Sequence, residues 1–186
     1  MDVDEILLVA EEKMGNAVDA LANAFGSVRT GRANARVLDR IKVDYYGAMT
    51  PINQLAGIKT PDARLLVIEP WDKSSLKSIE KAIMESDLGV TPSNDGMCIR
   101  LPFPALTEER RRELVKQCKG YAEDARVSVR NARRDANTQL SKAEKAGDIT
   151  EDDQRDGEKD VQKLTDKYIS KIDEVFKKKE AEVMEI

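Results

Sequence analysis

Apolar side chains recur at three- and four-residue intervals over the first 28 residues, at Val3, Ile6, Leu7, Ala10, Met14, Ala17, Leu21, Ala24, Phe25 and Val28. That spacing gathers them on one face of a 3.6-residue helix. The pattern predicts a long amphipathic helix ending at Thr30-Gly31, because glycine accepts the backbone conformation that terminates helices. The period then changes. Residues 40–46 alternate, Gly47, Pro51, Gly57 and Pro61 punctuate short segments, and Leu65-Leu66-Val67-Ile68 is an apolar run closed by Pro70, all signals of strands. Helical spacing returns between Ser74 and Met84 through Leu76, Ile79, Ala82 and Ile83. Loops at Asp87-Leu88-Gly89, Pro92 and Asn94-Asp95-Gly96 precede one more strand, Met97 to Leu101.

Pro102-Phe103-Pro104 breaks the chain, and Thr107 opens the longest helical pattern, running to about Lys145 and stopped by Gly147-Asp148. Thr150 followed by Asp153 resembles a capping box with Asp in place of Glu or Gln. A third helix then runs on Val161, Leu164, Tyr168, Ile172, Val175 and Val183, with its acids early and Lys177 to Lys179 late, as the helix dipole prefers. Helices with a single apolar face are unstable alone and must bury those faces against one another. The expected fold is therefore α+β: a three-helix bundle of residues 1–30 and 105–186, with residues 31–104 inserted as a small β/α/β domain. Two connections, at Thr30-Gly31 and at Pro102, Phe103, Pro104 and Ala105, leave from one bundle end and are expected to act as a hinge.

Composition narrows the function. The 186 residues are 40% hydrophobic and 35% charged, a globular balance. No apolar run approaches the roughly 18 residues of a membrane span, and Met1-Asp2-Val3-Asp4-Glu5 is acidic where targeting peptides are basic, so the cytoplasm is the expected location. Histidine is absent, which removes the commonest general base near neutral pH and the commonest metal ligand. No enzyme activity, metal or cofactor is expected. Cys98 and Cys118 stand without a CxxC spacing and read as reduced thiols. There is no GxxxxGK[ST] phosphate loop.

One Trp, three Phe and four Tyr are too few for a base-stacking platform, so any nucleic-acid binding must be electrostatic. The whole chain carries a formal charge of −4, but the charge is uneven. Residues 105–140 hold 9 basic against 6 acidic side chains, whereas residues 141–186 hold 10 against 14. On a helical wheel from Leu114, the residues Leu114, Cys118, Tyr121, Ala125, Val129, Ala132, Ala136 and Leu140 share about a quarter turn and form the buried face. Arg112, Lys116, Lys119, Arg126, Arg130, Arg133 and Arg134 fall at about 100° to 200°, interrupted chiefly by Glu123, along roughly 33 Å of helix. Planar guanidinium groups hold phosphates in a fixed fork. Such a stripe is a solvated helix face, a phosphate-tracking surface for folded RNA, or a surface for a membrane or an acidic protein partner. Tyr45-Tyr46 reads as strand packing, Trp71 as a cap on the small core, and Asp62, Glu69 and Asp72 as loop charges.

Seven segments carry a resemblance. These are Arg29-Thr30-Gly31-Arg32-Ala33, Asp44-Tyr45-Tyr46-Gly47, Glu80-Lys81-Ala82-Ile83, Ser86-Asp87-Leu88-Gly89, Leu106-Thr107-Glu108-Glu109-Arg110-Arg111, Val129-Arg130-Asn131-Ala132-Arg133-Arg134-Asp135-Ala136-Asn137 and Asp160-Val161-Gln162-Lys163-Leu164-Thr165-Asp166. In order and in register they closely resemble the bacterial ribosome recycling factor family over essentially the whole chain. The resemblance implies an L-shaped, monomeric molecule without catalytic residues, hinged between its two parts. It also implies binding to large-subunit ribosomal RNA between the subunits after termination, and subunit splitting with elongation factor G and GTP hydrolysis. The family's RNA-contacting arginines fall on Arg130 and Arg133, with Arg29, Arg32 and Arg111 as lesser candidates. Arg111 sits near the buried face of the wheel, at about 60°. Two other readings are a ribosome-associated stasis factor that works without the GTPase and a helical adaptor that binds protein partners through the stripe.

Overall fold

The structure, a computed structural model, describes residues 1–185. In chain order its elements are α1 (Val3–Gly26), β1 (Lys42–Tyr45), β2 (Ala48–Pro51), β3 (Ala56–Asp62), β4 (Leu65–Pro70), α2 (Leu76–Glu85), β5 (Ser93–Asn94), β6 (Ile99–Pro102), α3 (Glu108–Lys145) and α4 (Glu151–Met184). The chain forms two compact units, residues 1–25 with 116–181, and residues 26–115 with the chain end from 182. The ends of the long helices at Gly26, Glu108–Val115 and Glu182–Met184 thus group with the sheet.

The first unit is the body of a three-helix bundle, and local sequence sets its helix ends. Asp2 and Glu5 cap α1 reciprocally: the Glu5 amide donates to Asp2 Oδ1 at 2.8 Å and the Asp2 amide to Glu5 Oε2 at 3.0 Å. Gly147 takes φ +78° after α3, with its amide bonded to Glu144 O and that of Asp148 to Ala143 O. That paired closure requires the left-handed residue. The capping box expected at Thr150 and Asp153 forms, with bonds of 3.0 and 3.2 Å. Ile6, Ala10, Ala136, Leu140, Ala143 and Val161 make a common core, and each fully buried large aliphatic side chain contributes about 1.5–3 kcal/mol. Tyr168 donates to Glu11 at 3.2 Å, Lys13 pairs with Asp135 at 3.4 Å and Arg126 with Asp173 at 2.7 Å, one tie for each helix pair.

In the second unit, β1 and β2 form a hairpin whose turn residues Tyr46 and Gly47 both have positive φ, 49° and 82°, the backbone that matches strand twist in a two-residue turn. The other strands make an antiparallel sheet in the order β3-β4-β6-β5. Leu66, Ile68, Ile99 and Leu101 face a core shared with Val37, Leu38, Ile52, Ile79, Ile83 and Phe103. Three differences from the sequence reading have simple causes. α1 stops at the earlier glycine, Gly26, and not at Thr30-Gly31, where Gly31 does not take the left-handed backbone. The run Leu65–Ile68 alternates in burial, because only one sheet face receives α2 and the core. β3 accommodates Pro61 at a sheet edge, where a missing N–H costs no ladder bond. Trp71 does not cap the core. The residue is 71% exposed, and its backbone N–H donates to Leu55 O at 3.1 Å.

Candidate nucleic-acid interface

Within the bundle unit, α3 buries Cys118, Ala122, Ala125, Val129, Ala132, Ala136, Leu140 and Ala143. This fixes its rotation, and Lys116, Lys119, Arg130, Arg133 and Arg134 are left exposed. Their electrostatic situations differ. Arg130 Nη1 meets Glu123 Oε1 at 3.1 Å, and Arg126 Nη1 meets the other oxygen at 3.3 Å. Hydrogen bonds from Arg130, then Arg126, hold the Glu123 carboxyl below its ordinary range. Arg126 also donates from Nε and Nη2 to Asp173 Oδ1, at 3.2 and 2.7 Å, and its side chain is only 23% exposed. Asp173 raises its already high pKa. Arg126 therefore joins α3 to α4, while Lys116, Lys119, Arg133 and Arg134 make no ion pair among the described residues. Unpaired guanidinium groups on a rigid helix can receive phosphate oxygens without first giving up an internal partner.

The remaining candidates lie in the sheet-bearing unit. Arg112 is exposed and pairs one turn back with Glu108 at 2.7 Å. Arg29 is half-buried. Its Nη2 donates to Pro104 O at 2.8 Å and its guanidinium lies 5.6 Å from the Phe103 ring centroid. Burial, then the neighbouring Arg110 charge, lowers its pKa. Arg29 thereby ties together the two chain connections, at residues 29–32 and 102–105. Of those connecting residues Phe103 is buried in the core, while the Thr30 hydroxyl accepts from the Arg32 amide and donates to the Arg32 carbonyl, both at 3.4 Å. Arg32 pairs with Glu185 Oε1 at 3.0 Å, and the buried Nε of Arg111 has no hydrogen-bond partner among the described residues. Arg32 and Arg111 line one cavity of about 200 Å³ together with Arg64, a residue that sequence reasoning missed. No periodic signal could have found Arg64, because it sits alone in the turn between β3 and β4. Among the described residues no group of His, Cys, Asp and Glu is placed to hold a metal ion, and no helix is long and apolar enough to cross a membrane.

Comparison with known proteins places this geometry in context. Residues 21–184 match the family model described as Ribosome recycling factor. A protein named Ribosome-recycling factor from Bacillus cereus (strain AH187) is 61% identical over 182 residues, 98% of each chain. A protein of the same name from Bacillus anthracis is 60% identical over 182 residues, again 98% of each. Among solved structures, a solution structure of the ribosome recycling factor superposes with a TM-score of 0.82 at 41% identity, covering 100% of this chain and 99% of that one. A second is a Thermus thermophilus (T. thermophilus) ribosome recycling factor, described with Escherichia coli (E. coli) elongation factor G on the E. coli post-termination complex. It gives a TM-score of 0.69 at 43% identity, with both chains covered completely.

Proposed function

Because the chain belongs to the ribosome recycling factor family, we propose that it binds the post-termination ribosome through large-subunit RNA and, with elongation factor G and GTP hydrolysis, splits it into subunits. The observation that carries this reading is the exposed basic face of α3, where Arg133 and Arg134 make no ion pair among the described residues and stand opposite a buried helix face. Phosphate contacts of this kind give affinity and orientation without reading sequence, which suits a factor that must act on every terminated ribosome.

In this reading each basic residue has a role. Arg133 is the principal RNA contact, with Arg130, Arg134, Lys116 and Lys119 extending it and Arg112, Arg111, Arg29 and Arg32 as contacts from the other unit. Arg126 supports this face by bonding α3 to α4. The bundle of residues 1–30 and 105–186 acts as a stiff lever. The insert 31–104 is the part the GTPase pushes, turning about Thr30-Gly31 and Pro102 to Ala105. The protein makes and breaks no covalent bond itself, acts as a monomer and works in the cytoplasm. The chain supplies charge, stiffness and a hinge; the energy comes from GTP.

The test is subunit splitting by the purified chain on post-termination ribosomes, followed by light scattering, with and without elongation factor G and GTP. Splitting that needs all three components is expected. Binding without splitting under every condition would overturn the reading in favour of a stasis factor.

A further inference from the structure

The cavity of about 200 Å³ in the sheet-bearing unit brings together Arg32, Arg64 and Arg111 with Glu182 and Glu185, over a floor that includes the small residues Gly31 and Ala63. Its backbone is stitched in place. The Ala33 amide donates to Ala63 O and the Phe103 amide to Arg64 O, both at 2.6 Å, so the β3–β4 turn is pinned to each of the two chain connections. Arg64 spends its carbonyl on this framework, while its exposed side chain makes no hydrogen bond or ion pair among the described residues. Arg111 enters from the rigid first turns of α3 with its buried Nε unpartnered, and a buried donor without an acceptor is costly unless something supplies one. Arg32 is held only by Glu185, in a pair whose side chains are 72% and 53% exposed. Exposed pairs of this kind exchange readily for a stronger acceptor. Three arginine side chains thus line one hollow together with two carboxylates, and of the three only Arg32 has an ion pair among the described residues.

We propose that this hollow is a second RNA subsite, in which a single backbone phosphate is held between Arg64, Arg32 and Arg111 and takes the place of the Glu185 carboxylate on Arg32. The inference rests on the proposed function for its partner and adds Arg64, which neither periodicity nor resemblance singled out. A tetrahedral phosphate offers acceptors in several directions and so serves converging guanidinium forks that one planar carboxylate cannot satisfy together.

The experiment measures affinity of the full chain for purified large ribosomal subunits across a range of monovalent salt. It uses wild type, Arg64→Gln, Arg32→Gln, the double variant, Arg64→Lys, and Lys59→Gln as an exposed control in the same sheet that does not line the cavity. Arg64→Gln should weaken binding roughly ten- to a hundredfold, as for loss of a charged hydrogen bond, and lower the log–log salt slope by up to about 0.9. The double variant should lose less than the product of the single losses, since both side chains hold one phosphate. Arg64→Lys should restore part of the affinity, and Lys59→Gln should change little. Wild-type binding with a steep salt slope that Arg64→Gln leaves untouched would overturn the subsite while the proposed function stands. So would a double variant whose losses simply multiply. Wild-type binding that is indifferent to salt would overturn both.

Discussion

Arg126 donates twice to a single oxygen of Asp173, from Nη2 at 2.7 Å and from Nε at 3.2 Å, joining α3 to α4 across 47 residues of sequence. On a helical wheel Arg126 belongs with Arg130 and Arg133. In space it is a bundle residue whose guanidinium is already spoken for, and that separates two kinds of arginine on one helix face.

Arg126→Ala should therefore lower unfolding stability by about 1 kcal/mol, through the lost pair and the stem packing. Arg133→Ala should leave stability within about 0.5 kcal/mol but cost about 1–3 kcal/mol of large-subunit affinity. Urea unfolding and subunit binding on the same two proteins check this. The opposite assignment of losses would mean that Arg133 is the structural residue.

Two glycines inside long helices should respond differently to alanine. A Cβ at Gly120 would meet nothing within 4 Å, so Gly120→Ala should stabilise by about 0.5–1 kcal/mol through helix propensity. At Gly157 a Cβ would lie 2.9 Å from Cδ2 of the buried Leu140 and 3.4 Å from Val3 Cγ1. There overpacking of about 1–3 kcal/mol offsets or exceeds the same gain. Equal stabilisation by both in thermal unfolding would show that Leu140 turns aside freely.

The start of α4 rests on the reciprocal bonds of Thr150 and Asp153. Thr150→Ala should cost about 1 kcal/mol, and hydrogen exchange should show faster opening of the first turn of α4. Unchanged protection there would mean that packing alone holds that end.

Bonds from the Ser74 hydroxyl and amide, then the Tyr45 hydroxyl, hold the Asp72 carboxyl below its ordinary range. A depressed folded-state pKa adds stability that is present above the unfolded-state value and disappears as pH falls through the folded-state value. Acid titration of stability should thus show a component at the low end of the carboxylate range that Asp72→Asn removes. Identical acid profiles for wild type and variant would refute it.

If phosphates dominate binding, affinity for large subunits should fall linearly in log–log terms with salt, and each stripe arginine removed should reduce the slope. Substitutions at Lys177 to Lys179 should not reproduce that reduction. A flat salt response would favour a protein partner for α3.

What was legible in the sequence was what neighbours three or four residues apart decide. The apolar repeats through Ile6, Ala10 and Met14, the Thr150–Asp153 box and the stop at Gly147 all act within one or two helical turns, so the long helices and the junction of α3 with α4 could be read directly, whereas α1 stops at Gly26, short of the expected Thr30-Gly31. The wheel placed Cys118, Val129 and Leu140 inside, and they are buried. The same logic left Arg133 and Arg134 outside, as the exposed face shows. Tertiary structure decided what depends on remote segments meeting. Examples are the capture of Arg126 by Asp173, the pairing of Arg32 with Glu185, the edge strands β3 and β5, the exposure of Trp71, and the gathering of Arg64 with Arg32 and Arg111 around one hollow. Helical periodicity reports which face of an element is buried but not what lies against it. A side chain's partners are set by the register in which distant parts of the chain come to rest.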